Sequence, residues 1–197
     1  MGTDEMAMTN IEAKAVLRQK IRAALENISP AVRAVESIDL CDRLEAQLRS
    51  AHTILFFAPL SDELDVWPLL EKFMAAGKTC ALPFFDSALK TYSARRVQNL
   101  AADISTGKFD VREPAARCEE VPPEKLDLIL VPGMAFDWNG NRLGRGRGFY
   151  DRLLSKTRSV KCGVGYDFQL VGKIPAEPHD AKVNFVVTPT RCMKTAG

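Results

Sequence analysis

Histidine is scarce in this sequence, and its cysteines form no pattern. Only His52 and His179 occur, while Cys41, Cys80, Cys118, Cys162 and Cys192 are odd in number and never in C-x-x-C spacing. That argues against a structural zinc site and for free thiols in a reducing compartment. No apolar run approaches the ~20 residues that span a bilayer. The stretch from Met1 to Asn10 is acidic and polar, without the apolar core of a secretory signal. A large excess of charge is missing too: the net +2 is too small to imply a nucleic-acid or membrane partner by itself. There is no Gly-Lys-Ser/Thr phosphate loop, no internal repeat and no low-complexity segment. These absences leave a soluble cytoplasmic protein, and a monomer is expected.

What is present is ordinary globular composition, 46% hydrophobic and 26% charged over 197 residues. The length suits a single domain over 1–197 that buries about 70% of its unfolded surface. Thr9-Asn10-Ile11-Glu12 reads as a capping box, and Leu17, Ile21, Ala24 and Ile28 recur at helical spacing, so residues 10–27 are predicted helical. Ser29-Pro30 starts a second helix, with Val32, Val35, Ile38, Leu44 and Leu48 as its apolar set. Strands are predicted at Thr53 to Phe57, Thr79 to Leu82, Leu126 to Val131, Lys161 to Tyr166 and Phe185 to Thr188, with a helix over residues 66–76 stopped by Gly77. Leu126 to Val131 is nearly all apolar, as in a strand covered on both faces. Alternating strands and helices predict an α/β, Rossmann-like three-layer fold with a mostly parallel sheet flanked by helices. Residues 98–125, polar and bearing Pro114, Pro122 and Pro123, read as a long excursion.

Basic residues concentrate where the pattern turns unusual. Arg142, Arg145, Arg147, Arg152, Lys156 and Arg158 stand against Asp151 alone. Gly144, Gly146 and Gly148 alternate with these arginines, after the apolar strand and before a helical segment from Phe149 to Lys156. Side-chain-free positions let backbone amides approach a ligand, and arginine forks match phosphate oxygens. The spacing is not a dinucleotide fingerprint, because Phe149 stands where its third glycine belongs. From the residues alone, three readings stay open: an anion or phosphate site, a surface loop with solvated arginines, and an RNA-binding Arg-Gly segment.

The run Arg142-Leu-Gly-Arg-Gly-Arg-Gly-Phe-Tyr-Asp151 closely resembles the signature of 5-formyltetrahydrofolate cyclo-ligases. Lys14-x-x-Leu17-Arg18, Ser61-Asp62-Glu63-Leu64-Asp65 and Pro178-His179-Asp180 fall in that family's order and spacing. The resemblance implies ATP- and Mg2+-dependent conversion of 5-formyltetrahydrofolate to 5,10-methenyltetrahydrofolate. It implies ATP binding by Lys14, Arg18, Arg142, Leu143, Gly144, Arg145, Gly146, Arg147, Gly148, Phe149 and Tyr150. Folate binding falls to Ala58, Glu63, Arg145, Gly146, Arg147, Gly148 and Phe149, with Arg145 and Arg147 also catalytic and Asp151 and Asp180 as magnesium carboxylates.

Each residue also has a plainer reading when taken singly. Lys14 and Arg18, four apart on one helix face, suit a solvated basic face. Asp151 suits charge compensation at a helix start, Asp180 a turn and Glu63 a loop carboxylate. His179, with one carboxylate nearby and no second histidine, is weak as a general base. Trp138 and Tyr166 suit either a stacking platform or the core. Two departures from the signature are visible: Phe149 stands where the family often has Tyr, and Arg145 and Arg147 occupy slots that elsewhere hold Tyr, Gly or Lys. The alternatives to the ligase are a non-catalytic folate- or RNA-associated protein of the same fold, and a related enzyme of phosphosugars or acyl-CoA.

Overall fold

The structure, a computed structural model, describes residues 9–88, 90–107, 111–177 and 180–196. Its first two helices begin as the sequence predicts. Thr9 caps α1 (Asn10–Glu26), its hydroxyl accepting from the Glu12 amide while Glu12 Oε2 accepts from Thr9 N at 2.8 Å. Ser29 caps α2 (Pro30–Leu48) in the same way, through the Val32 amide. These bonds satisfy amides that a helix start leaves without partners.

Eight strands form the main sheet. In chain order they are β1 (Thr53–Leu55), β2 (Thr79–Asp86), β3 (Thr91–Val97), β6 (Glu120–Val121), β7 (Leu128–Pro132), β10 (Val160–Val164), β12 (Phe185–Val187) and β13 (Cys192–Lys194). The spatial order is β13-β12-β10-β7-β1-β2-β3-β6. The five central strands, from β12 to β2, run parallel, whereas β13, β3 and β6 pair antiparallel at the edges. Between β1 and β2 comes α3 (Trp67–Ala75), and α4 (Leu100–Asp103) follows β3. Two smaller sheets join β4 (Ile104–Thr106) to β5 (Arg112–Pro114), and β8 (Ala135–Asp137) to both β9 (Arg142–Leu143) and β11 (Leu170–Val171). A last helix, α5 (Phe149–Leu154), precedes β10.

Strand periodicity splits the core. Ile54, Leu128, Leu130, Cys162 and Val164 pack with α1, α2 and α3 through Ile21, Leu25, Leu40, Leu44, Leu48, Leu69, Leu70 and Phe73. Leu55, Ile129, Val131 and Val186 face the other way, against Leu153 and Leu154 of α5 and Phe136 of β8. Both faces are therefore covered, which is why the central strands read as continuous apolar runs.

Three expectations need correction. In α2, Val35 and Ile38 are 60% and 63% exposed, and the buried face is Ser37, Leu40, Leu44 and Leu48. Ser37 belongs to that face because its hydroxyl donates to Arg33 O and accepts from Asp65 N, which ties the helix to the loop after β1. The predicted excursion over 98–125 holds α4, β4, β5 and β6, and the preceding β3 was not predicted at all. Finally, Arg142 and Leu143 are strand residues. The chain reverses at Gly140, whose φ of 78° suits glycine, and the buried Asp137 carboxylate accepts from the amides of Asn139 and Asn141. Tyr166 is core and Trp138 is 54% exposed. All five cysteines are free thiols. Among the described residues no helix is long and apolar enough to cross a membrane.

Candidate active site

The chain runs from β1 outward to β2 and β3, then returns to place β7 on the other side of β1. Segments leaving β1 and β7 must diverge there, and such a switch point opens a crevice at the carboxyl ends of parallel strands. A cavity of about 310 Å³ lies at that position. Ala58, Leu60 and Glu63 reach it from beyond β1, Pro132 and Gly133 from the end of β7, and Tyr92 from β3. Gly144, Arg145, Arg147, Gly148, Phe149, Tyr150 and Asp151 line it from the glycine-arginine segment, with Arg142 at its base.

Aromatic rings form one wall. Phe149 lies 4.9 Å from Phe85 and 5.9 Å from Tyr92, and Tyr92 lies 5.6 Å from Tyr150, all between ring centroids. Burial pushes the Tyr92 and Tyr150 phenols up, so both stay neutral.

Charge sits opposite in paired form. Arg145 Nη2 donates to Asp62 Oδ1 at 2.6 Å and to Glu63 Oε1 at 3.1 Å, joining the glycine segment to the loop after β1. Desolvation pushes the Glu63 carboxyl up against the pull of Arg145. Desolvation would lower the Arg145 pKa, but the bond to Asp62 and the attraction of both carboxylates outweigh it, and the net shift is upward. Arg142 is almost fully enclosed. It donates to Asp151 Oδ1 at 2.7 Å and to Pro132 O at 3.2 Å, and its Nε has no partner among the described residues. Its work is thus turned toward Asp151 and the end of β7 rather than outward, as a loop arginine would be.

Helix α1 supplies the neighbouring group. Arg18 Nε donates to Gly144 O at 2.9 Å, and Lys14 Nζ donates to Asp180 Oδ2 at 2.7 Å. Asp180 Oδ2 also accepts from Glu177 N. The spacing of four does put Lys14 and Arg18 on one face of α1, and both reach protein partners rather than only solvent. Gly146, with φ 105°, passes near the Arg18 guanidinium, and Gly148, with φ 65°, begins α5. Leu143 is buried in the core. Lys14, Arg18, Leu143, Gly146 and Asp180 are not part of the cavity wall, and His179 lies outside the described residues.

Among the described residues no three His, Cys, Asp or Glu side chains gather as a metal cluster. Magnesium, however, commonly takes only one or two protein carboxylates and completes its shell with phosphates and water. Asp151, a hard oxygen donor on the cavity wall, fits that chemistry.

Pro83, Val111, Arg112 and Glu113 also line the cavity, and sequence reading missed them along with Leu60, Tyr92, Pro132 and Gly133. The Pro132-Gly133 break after an apolar strand was a usable signal, given where open α/β sheets bind ligands. Val111, Arg112 and Glu113 gave none, because that segment reaches the site through the packing of β5 on β2 and β3.

Comparison with known proteins gives the chain's family. The sequence profile of the 5-formyltetrahydrofolate cyclo-ligase family matches residues 10–189. The chain is 36% identical over 149 residues to the 5-formyltetrahydrofolate cyclo-ligase of Escherichia coli K12, covering 72% of this chain and 80% of that one. Against the enzyme of that name from Mycolicibacterium smegmatis it is 32% identical over 186 residues, 91% of this chain and 95% of the other. The solved structure of Aquifex aeolicus 5,10-methenyltetrahydrofolate synthetase superposes with a TM-score of 0.84 at 32% identity, covering 93% of each chain. The chain belongs to the 5-formyltetrahydrofolate cyclo-ligase family.

Proposed function

We propose that the protein closes 5-formyltetrahydrofolate to 5,10-methenyltetrahydrofolate, consuming ATP with magnesium and releasing ADP and phosphate. The observation that carries this reading is the cavity at the β1/β7 switch point. There the arginines of the glycine segment, the Asp151 carboxylate and the aromatic wall meet Glu63. A formamide is a poor electrophile because its nitrogen delocalises into the carbonyl. Phosphorylating the formyl oxygen converts it into a leaving group, and the second folate nitrogen can then attack the carbon.

Phosphoryl transfer depends on positioning and charge stabilisation. Arg145 and Arg147 take the charge of the transferring group, and the amides of Gly144, Gly146 and Gly148 approach its oxygens. Lys14 and Arg18 hold the nucleotide from α1, in reach of the loop through the Arg18–Gly144 bond. Glu63 pairs with pterin N–H groups, Ala58 forms part of the floor beneath the ring, and Phe149 packs on it. Asp151 holds magnesium, with Asp180 as second carboxylate kept beside Lys14. Bound there, the metal neutralises phosphate charge. Arg142 fixes the Asp151 carboxylate from beneath.

Asp151→Asn tests the assignment. Wild-type protein is expected to gain thermal stability from ATP only with magnesium present, and the variant is expected to lose both this gain and turnover. Because Asp151 also neutralises the enclosed Arg142, the variant will be less stable by a few kcal/mol, roughly 3–5, so binding is compared on folded protein. Full turnover in the variant would contradict the metal role.

A further inference from the structure

The cavity holds a carboxyl that the reading above leaves idle. Glu113, on β5, is 5% exposed and lines the wall beside Tyr92. Its hydrogen bond among the described residues is a long one, Phe85 N donating to Oε2 at 3.3 Å. Glu63 and Asp151 are each ion-paired with an arginine, whereas Glu113 has no ion pair among the described residues. Its chain neighbour Arg112 is turned away, its guanidinium 4.1 Å from the Trp67 ring centroid. Gly107 presses on it from behind, where an added Cβ would lie 2.3 Å from Glu113 Cδ. A buried carboxylate without a countercharge is expensive, and burial accordingly pushes its pKa up. In an active site, that combination describes a proton acceptor.

We propose that Glu113 takes the proton from the attacking amine as the ring closes. The inference rests on the cyclisation reading above. The attacking nitrogen is a secondary arylamine, weakly nucleophilic because its lone pair delocalises into the ring. As that pair forms the new bond to the formyl-derived carbon, the C=N electrons return to the formyl-bearing nitrogen. The N–H bond breaks, its electrons stay on nitrogen, and the proton moves to a Glu113 carboxylate oxygen. The nitrogen then expels phosphate, which leaves with the C–O pair, and Glu113 returns its proton to solvent. Redox chemistry is not involved, and no further reactant is needed.

The elements packed on β5 bring few other titrating groups to it. Asp86 lies on β2, and Tyr92, Arg95 and Arg96 lie on β3. Across the cavity stand Glu63, Asp151, Arg142, Arg145 and Arg147. None of these duplicates an unpaired carboxyl.

The test compares wild type with Glu113→Gln, which keeps the shape, and Glu113→Asp, which keeps the charge. Ring closure is followed by absorbance, and phosphoryl transfer by scrambling of bridging and non-bridging 18O in ATP in the presence of 5-formyltetrahydrofolate. Glu113→Gln should close the ring about 10²–10⁴-fold more slowly, lose the acidic limb of the wild-type pH profile, and still scramble ATP oxygen. Glu113→Asp should recover part of the rate. Loss of scrambling together with closure would overturn the proposal in favour of a binding or structural role, and near-normal closure would overturn it outright. Wild type that forms no methenyl product would instead overturn the cyclisation reading, and this inference with it.

Discussion

Arg142 and Arg147 lie five residues apart in one basic run, yet the structure gives them different surroundings. Arg142 is enclosed and spends its donors on Asp151 and Pro132, while Arg147 lines the cavity. Arg147→Ala should therefore cost catalysis rather than folding: about 2–4 kcal/mol of transition-state stabilisation, read as a lower kcat with a thermal midpoint close to wild type. Wild-type kcat would contradict the charge-stabilising role. Arg142→Ala should do the reverse first, losing stability because Asp151 is left without its partner, which a urea titration would show. A sequence shows both as arginines of one glycine-rich run. What separates them is the β8–β9 reversal at Gly140, a three-dimensional fact with only the Asn-Gly-Asn turn as its trace. Asp180 was likewise legible as a family position, whereas its bond to Lys14, 166 residues away, was not.

At the scale of elements, starts and types were easier to read than faces. The caps at Thr9 and Ser29 follow from local chemistry and appear as expected. The face of α2 did not follow, because Val32, Val35 and Ile38 offer an apolar stripe as good as the real one. Tertiary packing decides for Leu40, Leu44 and Leu48, each fully buried. Leu44→Ala should cost about 2–5 kcal/mol and Ile38→Ala no more than about 0.5, both by urea unfolding. Equal costs would contradict the observed face. Strand β3 escaped notice for a related reason: Ser93, Arg95 and Arg96 interrupt its apolar pattern. Its place is set by pairing with β2 over Cys80–Asp86, and Arg95 finds the Ala116 and Cys118 carbonyls only once the chain folds back.

Across the whole molecule, burial and backbone amides shift carboxyls in opposite directions, and outside the cavity burial also raises that of Glu36 on α2. Those of Glu63 and Glu113 are raised by burial at the cavity. Those of Asp103 and Asp127 are lowered, chiefly by backbone amides that they accept from, Gln98 and Asn99 for the one and Thr53 and His52 for the other. A raised carboxyl favours the folded state below its unfolded value of 4.5, and that advantage is lost as pH rises through the folded value. A lowered one favours the folded state above 3.8 and fails as pH falls. Ligand-free protein should thus be most stable at mildly acidic pH and lose stability toward neutrality, and Glu113→Gln should flatten that loss in pH-dependent urea midpoints. An unchanged slope would mean that the Glu113 carboxyl is solvated. A site that places its unpaired acid where burial opposes ionisation gives up stability for function. The mostly parallel sheet was legible because both faces are covered and its strands read as apolar runs. The cavity was legible only on its glycine-arginine side, since its β5 side depends on how the β4–β5 pair packs against β2 and β3.

The central claim is a reaction, and absorbance tests it most directly. Purified protein is mixed with 5-formyltetrahydrofolate, ATP and magnesium, and the methenyltetrahydrofolate band is followed. The proposal predicts product only when ATP and magnesium are both present, with none from Asp151→Asn. No product from folded protein that binds magnesium-ATP would contradict the proposed acceptor, and no product without nucleotide binding would contradict catalysis altogether.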